Sequence, residues 1–136
     1  MIHLKKTDYL QILNHARACL PEEACGLLAC HCEGEEAWVE TVYLLGNADH
    51  SPTHFTIAPQ EQLKAILDMR DRNLELLGNW HSHPETPSRP SAEDIRLALD
   101  PTASYLILSL VENEPVLRSF RIMDGQAEQE ELKIKE

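Results

Sequence analysis

The sequence predicts one α/β domain of the α+β kind, a mixed β-sheet with helices packed against it. Three observations carry that prediction. The chain has 136 residues, 43% hydrophobic and 26% charged, which is the size and make-up of an ordinary globular domain. Its apolar residues switch repeatedly between helical spacing and strand-like runs bounded by turn residues. No repeat, low-complexity linker or shift in composition divides it, so residues 1–136 are read as a single domain. The expected order of elements is β-α-β-β-α-β-α-β-β-β, and alternation of this kind places helices against a sheet.

Each element from the first helix onward has its own warrant. Thr7 stands as an N-cap before Tyr9, Ile12, Leu13, Ala16, Cys19 and Leu20, which recur at helical spacing up to Pro21. "ACGLLACHC" and "EAWVETVYLLG" read as strands around a turn at Gly34. Residues 46–58, "GNADHSPTHFTIA", are polar and irregular, a surface loop able to touch a ligand. Pro59 opens a second helix in which Leu63, Ile66 and Leu67 are expected to face inward. "LELLGNWHSH" is the next strand, stopped by Pro84. Ser91 caps a short helix whose Ile95, Ala98 and Leu99 share a face, ending at Asp100-Pro101. "SYLILSLV" has the length and apolarity of a buried strand; "PVLRSFRIM" and "EELKIKE" close the chain as strands, with Asp124-Gly125 as a turn.

Composition narrows the function. A formal charge of −11 argues against a nucleic-acid partner, because phosphate binding draws on clustered Lys and Arg. No run approaches the roughly 18 apolar residues of a membrane span, and the N-terminus has no signal-peptide h-region. The expected compartment is therefore the cytoplasm, and the four cysteines (Cys19, Cys25, Cys30, Cys32) are expected as free thiols. The "CHC" at 30–32 offers ligand atoms, but no second C-x-x-C or H-x-x-x-H accompanies it, so no zinc site is expected there.

The chemistry concentrates in "GNWHSHPETPSRPSAEDIRLALD", residues 78–100. Side chains two apart on a strand share a face, so His81 and His83 project together while Trp80 and Ser82 point the other way. Pro87 and Pro90 stiffen the loop that brings the chain back, and Asp94 lies one turn into the helix capped by Ser91. Two imidazoles and a carboxylate suit zinc and leave a fourth tetrahedral position for water, as in a catalytic site. A plainer reading competes with this one. Ser-x-x-Asp is nearly a capping box, and an Asp94 folded back onto the helix start is not expected to bind metal as well. The co-occurrence of both histidines, the proline stop, the stiff loop and the carboxylate within fourteen residues favours metal.

This combination resembles the His-x-His-Pro, six residues, Ser-x-x-Asp motif of the JAMM metalloproteases, the MPN-plus or Mov34 family. Upstream, "PEEACGLL" is similar to the segment that carries that family's glutamate. The resemblance covers nearly the whole chain. It implies the MPN fold, a curved mixed sheet with flanking helices, cytidine-deaminase-like. It implies one zinc per chain on His81, His83 and Asp94, with Glu23 (three positions before the glycine of "CGLL", hence not Glu22) as general base. Ser91 is then the donor to the developing oxyanion.

The chain has no large insertion between its first helix and the His-x-His strand, and in this it resembles the compact prokaryotic members. Those act on small ubiquitin-like sulfur-carrier proteins ending in Gly-Gly, and such a carrier is the expected partner. Oligomeric state is not specified by the sequence. The rival readings are a metal-free MPN scaffold, a RadC-type protein, an amidohydrolase and a zinc deaminase. The complete set of five residues disfavours the first. The glutamate segment and the acidic charge disfavour the second. An amidohydrolase barrel needs about 250 residues, and a deaminase needs His-x-Glu with Pro-Cys-x-x-Cys. The remaining histidines (His3, His15, His31, His50, His54) are expected at the surface, with His50 and His54 in a loop that can border the cleft. Trp80 is expected in the core.

Overall fold

The computed structural model describes residues 1–136. The elements are β1 (Ile2–Lys5), α1 (Lys6–Cys19), β2 (Cys25–Glu33), β3 (Glu36–Leu45), α2 (Pro59–Asp71), β4 (Glu75–His83), α3 (Ala92–Leu97), β5 (Ser104–Ser109), β6 (Val116–Met123), β7 (Gln126–Glu130) and β8 (Leu132–Lys135). The eight strands form one mixed sheet in the order β7-β6-β5-β4-β2-β3-β1-β8. β1 runs parallel to β3 and β8, and β4 runs parallel to β5; the other pairs are antiparallel. No helix is long and apolar enough to cross a membrane.

The C-terminal tail has one strand more than expected: β8 falls within "EELKIKE", and β7 precedes it. Only Glu131 separates β7 from β8, yet the two lie at opposite edges of the sheet. β7 pairs with β6, and β8 pairs with β1, while the N–H of Ile2 donates to the carbonyl of Glu131 at 3.0 Å. One continuous stretch therefore bridges the two edges and curls the sheet toward a barrel. The residues of β7, QAEQE, are almost all exposed and carry no apolar alternation, which is the signal a strand ordinarily shows.

Alternation along β2 sets the two layers. Leu28 and Cys30 join Ile12, Leu13 and Ala16 of α1 in the larger core. Leu27 and Ala29, on the other face, pack with Ala65 and Met69 of α2. This corrects the expected inner face of α2: Leu63 and Leu67 are 57% and 46% exposed, and Ile66 is half-buried. The helix has two i,i+4 apolar stripes, and spacing alone does not choose between them. The small Ala65 lets the helix sit close over β2.

Thr7 is not the N-cap of α1 either. Strand β1 passes directly into the helix, Lys5 occupies the cap position without a side-chain bond, and Asp8 supplies a carboxylate to the first turn. In α3 no residue is fully buried, and Leu99 lies beyond the helix, 89% exposed. That helix is held by its cap and by the β4-to-β5 crossover, not by an apolar face. His3 and His15 are half-buried and not surface residues: His3 stacks on Trp38, and His15 meets the Leu45 carbonyl at 3.1 Å and the edge of Trp80.

Trp80 is fully buried, and its indole N–H donates to the Tyr43 carbonyl at 3.2 Å across β2. It can do so because Gly26 lies between them. A Cβ at Gly26 would land on the Tyr43 carbonyl oxygen and the Trp80 indole nitrogen, both held in place. Gly26→Ala is therefore expected to destabilise the protein by about 1–3 kcal/mol, the scale of overpacking. A urea midpoint equal to that of the parent would contradict this.

Candidate metal centre

Strand β4 builds the centre by alternation. Trp80 and Ser82 turn to the α1 side, while Asn79, His81 and His83 turn to the side of α2. His81 and His83 are nearly fully buried. His83 is oriented from behind: its Nδ1 lies 2.9 Å from the Pro87 carbonyl, which can only accept, so the proton sits on Nδ1. In the neutral ring that leaves Nε2 as a bare lone pair, the ligand tautomer. Two buried serines pin the Pro-rich loop that provides this carbonyl. Ser88 donates to the Ile107 carbonyl at 2.7 Å, and Ser109 donates to the Thr86 carbonyl at 2.6 Å.

The two Nε2 atoms are 3.1 Å apart, and each is 3.2 Å from Asp94 Oδ2. Ligands about 2.0–2.1 Å from a tetrahedral ion are separated by roughly 3.3 Å, so this triangle fits a first-row divalent metal with an open fourth position. The expected competition between capping and metal binding does not arise. Ser91 Oγ accepts from the Asp94 N–H at 3.0 Å, and Asp94 Oδ2 accepts from the Ser91 N–H at 2.9 Å. A carboxylate oxygen has more than one lone pair, so Oδ2 closes the capping box and faces both histidines at once. The cap is what aims the ligand. Ser91 uses a lone pair in that bond and keeps its hydroxyl proton free to donate.

Charges follow the geometry. Burial opposes ionisation of Asp94, but in the metal-free protein hydrogen bonds from His81 and His83 when their Nε2 atoms carry protons, the charge of His81 and the Ser91 N–H hold its carboxyl well below the usual range. Burial pushes His81 down, with Asp94 opposing. For His83 burial acts downward too, yet the Asp94 and Pro87 hydrogen bonds and the charges of Asp94 and Glu23 outweigh it and raise the pKa.

Glu23 lies beside this triangle, 4% exposed, with no partner for Oε1. Its main chain is clamped on both sides. The Glu23 N–H donates to the Ser51 carbonyl at 2.8 Å, and its carbonyl accepts from Asn47 Nδ2 at 3.1 Å. Next to it, the Ala24 N–H donates to Ser82 Oγ at 2.8 Å. The serine between the two histidines thus ties the glutamate segment to the ligand strand. Glu22, by contrast, points outward and meets the exposed His50 at 3.2 Å.

Burial raises the Glu23 carboxyl from 4.5 to about 8; His83 opposes, and the charges of Asp94 and Glu93 add. In the metal-free protein this has a signed consequence. Below about pH 4.5 Glu23 is protonated in both folded and unfolded chains; between there and about 8 only the folded chain holds the proton. Stability therefore falls as pH rises through that window. Glu23→Gln should remove this loss, stabilising metal-free protein by on the order of a few kcal/mol at pH 8 and hardly at all at pH 4.5. Equal melting curves for the two proteins at both pH values would contradict the burial argument.

The centre opens into a cleft of about 410 Å³ lined by His54, Phe55, Ile57, Asn79, His81 and Tyr105 among others. His54 borders it as expected, whereas His50 is exposed and outside it. Phe55 stacks on the His81 ring, with centroids 4.7 Å apart. Asn79 Oδ1 is buried without a partner.

Sequence reasoning assigned no role to Ser82, Asn47, Ser51, Phe55 or Asn79. Strand period gives the direction of Ser82 and Asn79, but only the fold shows what they meet. Asn47 had a weak signal, since Asn begins loops by bonding onward. Its Oδ1 accepts from the N–H groups of Asp49 and Thr56 at 3.0 and 3.2 Å.

A curved mixed sheet that brings two strand histidines and a helix-capping aspartate together at a cleft defines the MPN class of domain. The chain belongs to that family: residues 5–123 match the prokaryotic homologs of the JAB domain. It is 37% identical to the CysO-cysteine peptidase of Mycobacterium tuberculosis over 123 residues, 90% of this chain and 83% of that protein. It is 35% identical to the desampylase of Pyrococcus furiosus over 92 residues, 68% of this chain and 60% of that protein. The solution structure of a Desulfitobacterium hafniense protein superposes with a TM-score of 0.92 at 53% identity, covering 100% of this chain and 94% of that one. A JAB1/MPN domain protein from Archaeoglobus fulgidus shares the fold at a TM-score of 0.63 and 20% identity, with both chains covered fully.

Proposed function

We propose that the protein is a zinc-dependent peptidase that hydrolyses the amide bond after the C-terminal Gly-Gly of a small ubiquitin-like sulfur-carrier protein. The observation that carries this reading is the convergence of His81 Nε2, His83 Nε2 and Asp94 Oδ2 beside an unpartnered buried carboxylate, Glu23, at the head of a cleft. The substrate class draws on relatives: the mycobacterial protein is a CysO-cysteine peptidase, and a Thermus thermophilus relative, 33% identical over 107 residues, is a probable TtuB-protein conjugate cleaving protease.

A zinc ion held by the three ligands would make a water acidic near neutrality and polarise the scissile carbonyl. The chain supplies the rest. Glu23 takes a proton from the attacking water on a carboxylate oxygen and passes it to the leaving amine. The charge of a bound cation opposes the burial that keeps Glu23 protonated, so the carboxylate form is available when the site is loaded. Ser91 donates its free hydroxyl proton to the developing oxyanion. Asn79 lines the cleft beside His81, on the path of a tail lying extended toward the metal ligands. Glycine suits that tail because a backbone without Cβ can approach the wall closely.

The test uses a carrier extended beyond Gly-Gly, incubated with zinc-loaded protein with and without a chelator. Mass spectrometry should place the cut after the second glycine, and only without chelator. Changing that glycine to Val should block cleavage. Casein cut as readily as the carrier would reduce the reading to a generic zinc peptidase.

A further inference from the structure

The Cys30–His31–Cys32 stretch takes no part in the cleft; it lies at the other end of β2 from Glu23. The sequence shows no partner for it because its partner comes from another strand. Sheet register sets Glu75, the first residue of β4, opposite Cys30. Strand β2 runs on past the start of β4 and leaves Cys32 at an open end. Cys30 Sγ and Cys32 Sγ are 3.0 Å apart, and the two sulfurs and a Glu75 carboxylate oxygen all lie within 4.8 Å of one another. Both cysteines are free thiols; Cys30 is buried, while Cys32 is exposed. Glu75 takes part in none of the chain's ion pairs. His31 turns to the opposite face and meets Glu33. The cluster therefore holds three potential anions and no cation.

We propose that Cys30, Cys32 and Glu75 form a second cation site, separate from the His81, His83 and Asp94 centre, that takes a thiophilic divalent ion such as Zn²⁺ or Cd²⁺. Two sulfurs and one oxygen favour borderline-soft d¹⁰ ions over Mg²⁺ or Ca²⁺, which prefer all-oxygen sets. Zn–S bonds of 2.3 Å set tetrahedral sulfurs roughly 3.7 Å apart, so the pair must open by under about 1 Å. The exposed Cys32 side chain can make that movement. Binding releases the two thiol protons to solvent and leaves both sulfurs in their reduced state. Burial and the neighbouring Cys32 and Glu75 push the Cys30 thiol up, so that buried sulfur stays protonated when no ion is bound. A bound ion would clip the far end of β2 to the start of β4, a stabilising role that is independent of hydrolysis.

The test is a Cd²⁺ titration of the reduced, metal-free full chain without oxygen. Two equivalents should bind, one of them with an ultraviolet thiolate-to-cadmium charge-transfer band. Cys32→Ser should remove that band and one equivalent, and Glu75→Gln should weaken the same equivalent at least about tenfold, the scale of losing even an outer partner of a metal site. His81→Ala should remove the other equivalent and leave the band. Cys32 is exposed, so its variant should fold like the parent, which circular dichroism checks. A single equivalent abolished by His81→Ala, or a band that survives Cys32→Ser and so comes from Cys19 or Cys25, would overturn the proposal. So would thiol counts showing Cys30 and Cys32 joined in a disulfide that resists reduction.

Discussion

Glu23→Gln is expected to cut hydrolysis of an extended carrier by at least about 100-fold, the ordinary scale for removing a general base. It should leave the zinc content unchanged. The argument rests on position. Glu23 is 4% exposed beside the histidine pair, its Oε1 has no partner, and its backbone is fixed by Ser51, Asn47 and the Ser82–Ala24 bond. Gln has nearly the same volume and keeps those main-chain bonds, so the ligand triangle should stand. What it lacks is a carboxylate able to take a proton. Glu22→Gln is the internal control: its side chain faces solvent and His50, and the change should be nearly silent. The measurement is a single-turnover rate with metal analysis on the same samples. Equal losses in both variants, or a loss only at Glu22, would mean that the base has been misplaced.

The sequence carried the fold and the centre to different depths. Strand period alone sent His81 and His83 one way and Trp80 and Ser82 the other, and the structure has them so. The element order was readable as far as β6, because each change of period after α1 was bounded by Pro, Gly or a polar loop. It failed where the signal is physically weak. The exposed QAEQE strand has no apolar face to read. The two i,i+4 stripes of α2 are equivalent until a neighbour is known, and only the sheet selects Ala65 and Met69. The third donor beside Cys30 and Cys32 was invisible because register, not proximity in sequence, delivers Glu75. The choice of Glu23 over Glu22 came from family resemblance; burial now gives it a physical reason.

Asp94→Ala should remove most of the zinc from the histidine centre, weakening it by at least about 100-fold, beyond the scale of losing an outer partner. Asp94 Oδ2 is 3.2 Å from both imidazole nitrogens and is the only anionic member of the triangle. The same oxygen accepts from the Ser91 N–H, so the alanine variant also loses half of the capping box. That loss should cost the metal-free protein about 0.5–2 kcal/mol. The two effects separate with Asp94→Asn, because an amide oxygen can still accept from Ser91 but brings no charge to the metal. Asn should lose less metal-free stability than Ala, forfeiting the charge that its neighbours stabilise but keeping the cap hydrogen bond, while zinc affinity still falls steeply. Competition with a chromophoric chelator measures the affinity, and urea unfolding of chelated protein measures the cap. If either variant binds zinc at this centre as tightly as the parent, the carboxylate serves the helix alone and the metal, if any, is held by the histidines without it. If Asn loses as much metal-free stability as Ala, the charge and not the hydrogen bond fastens the helix start.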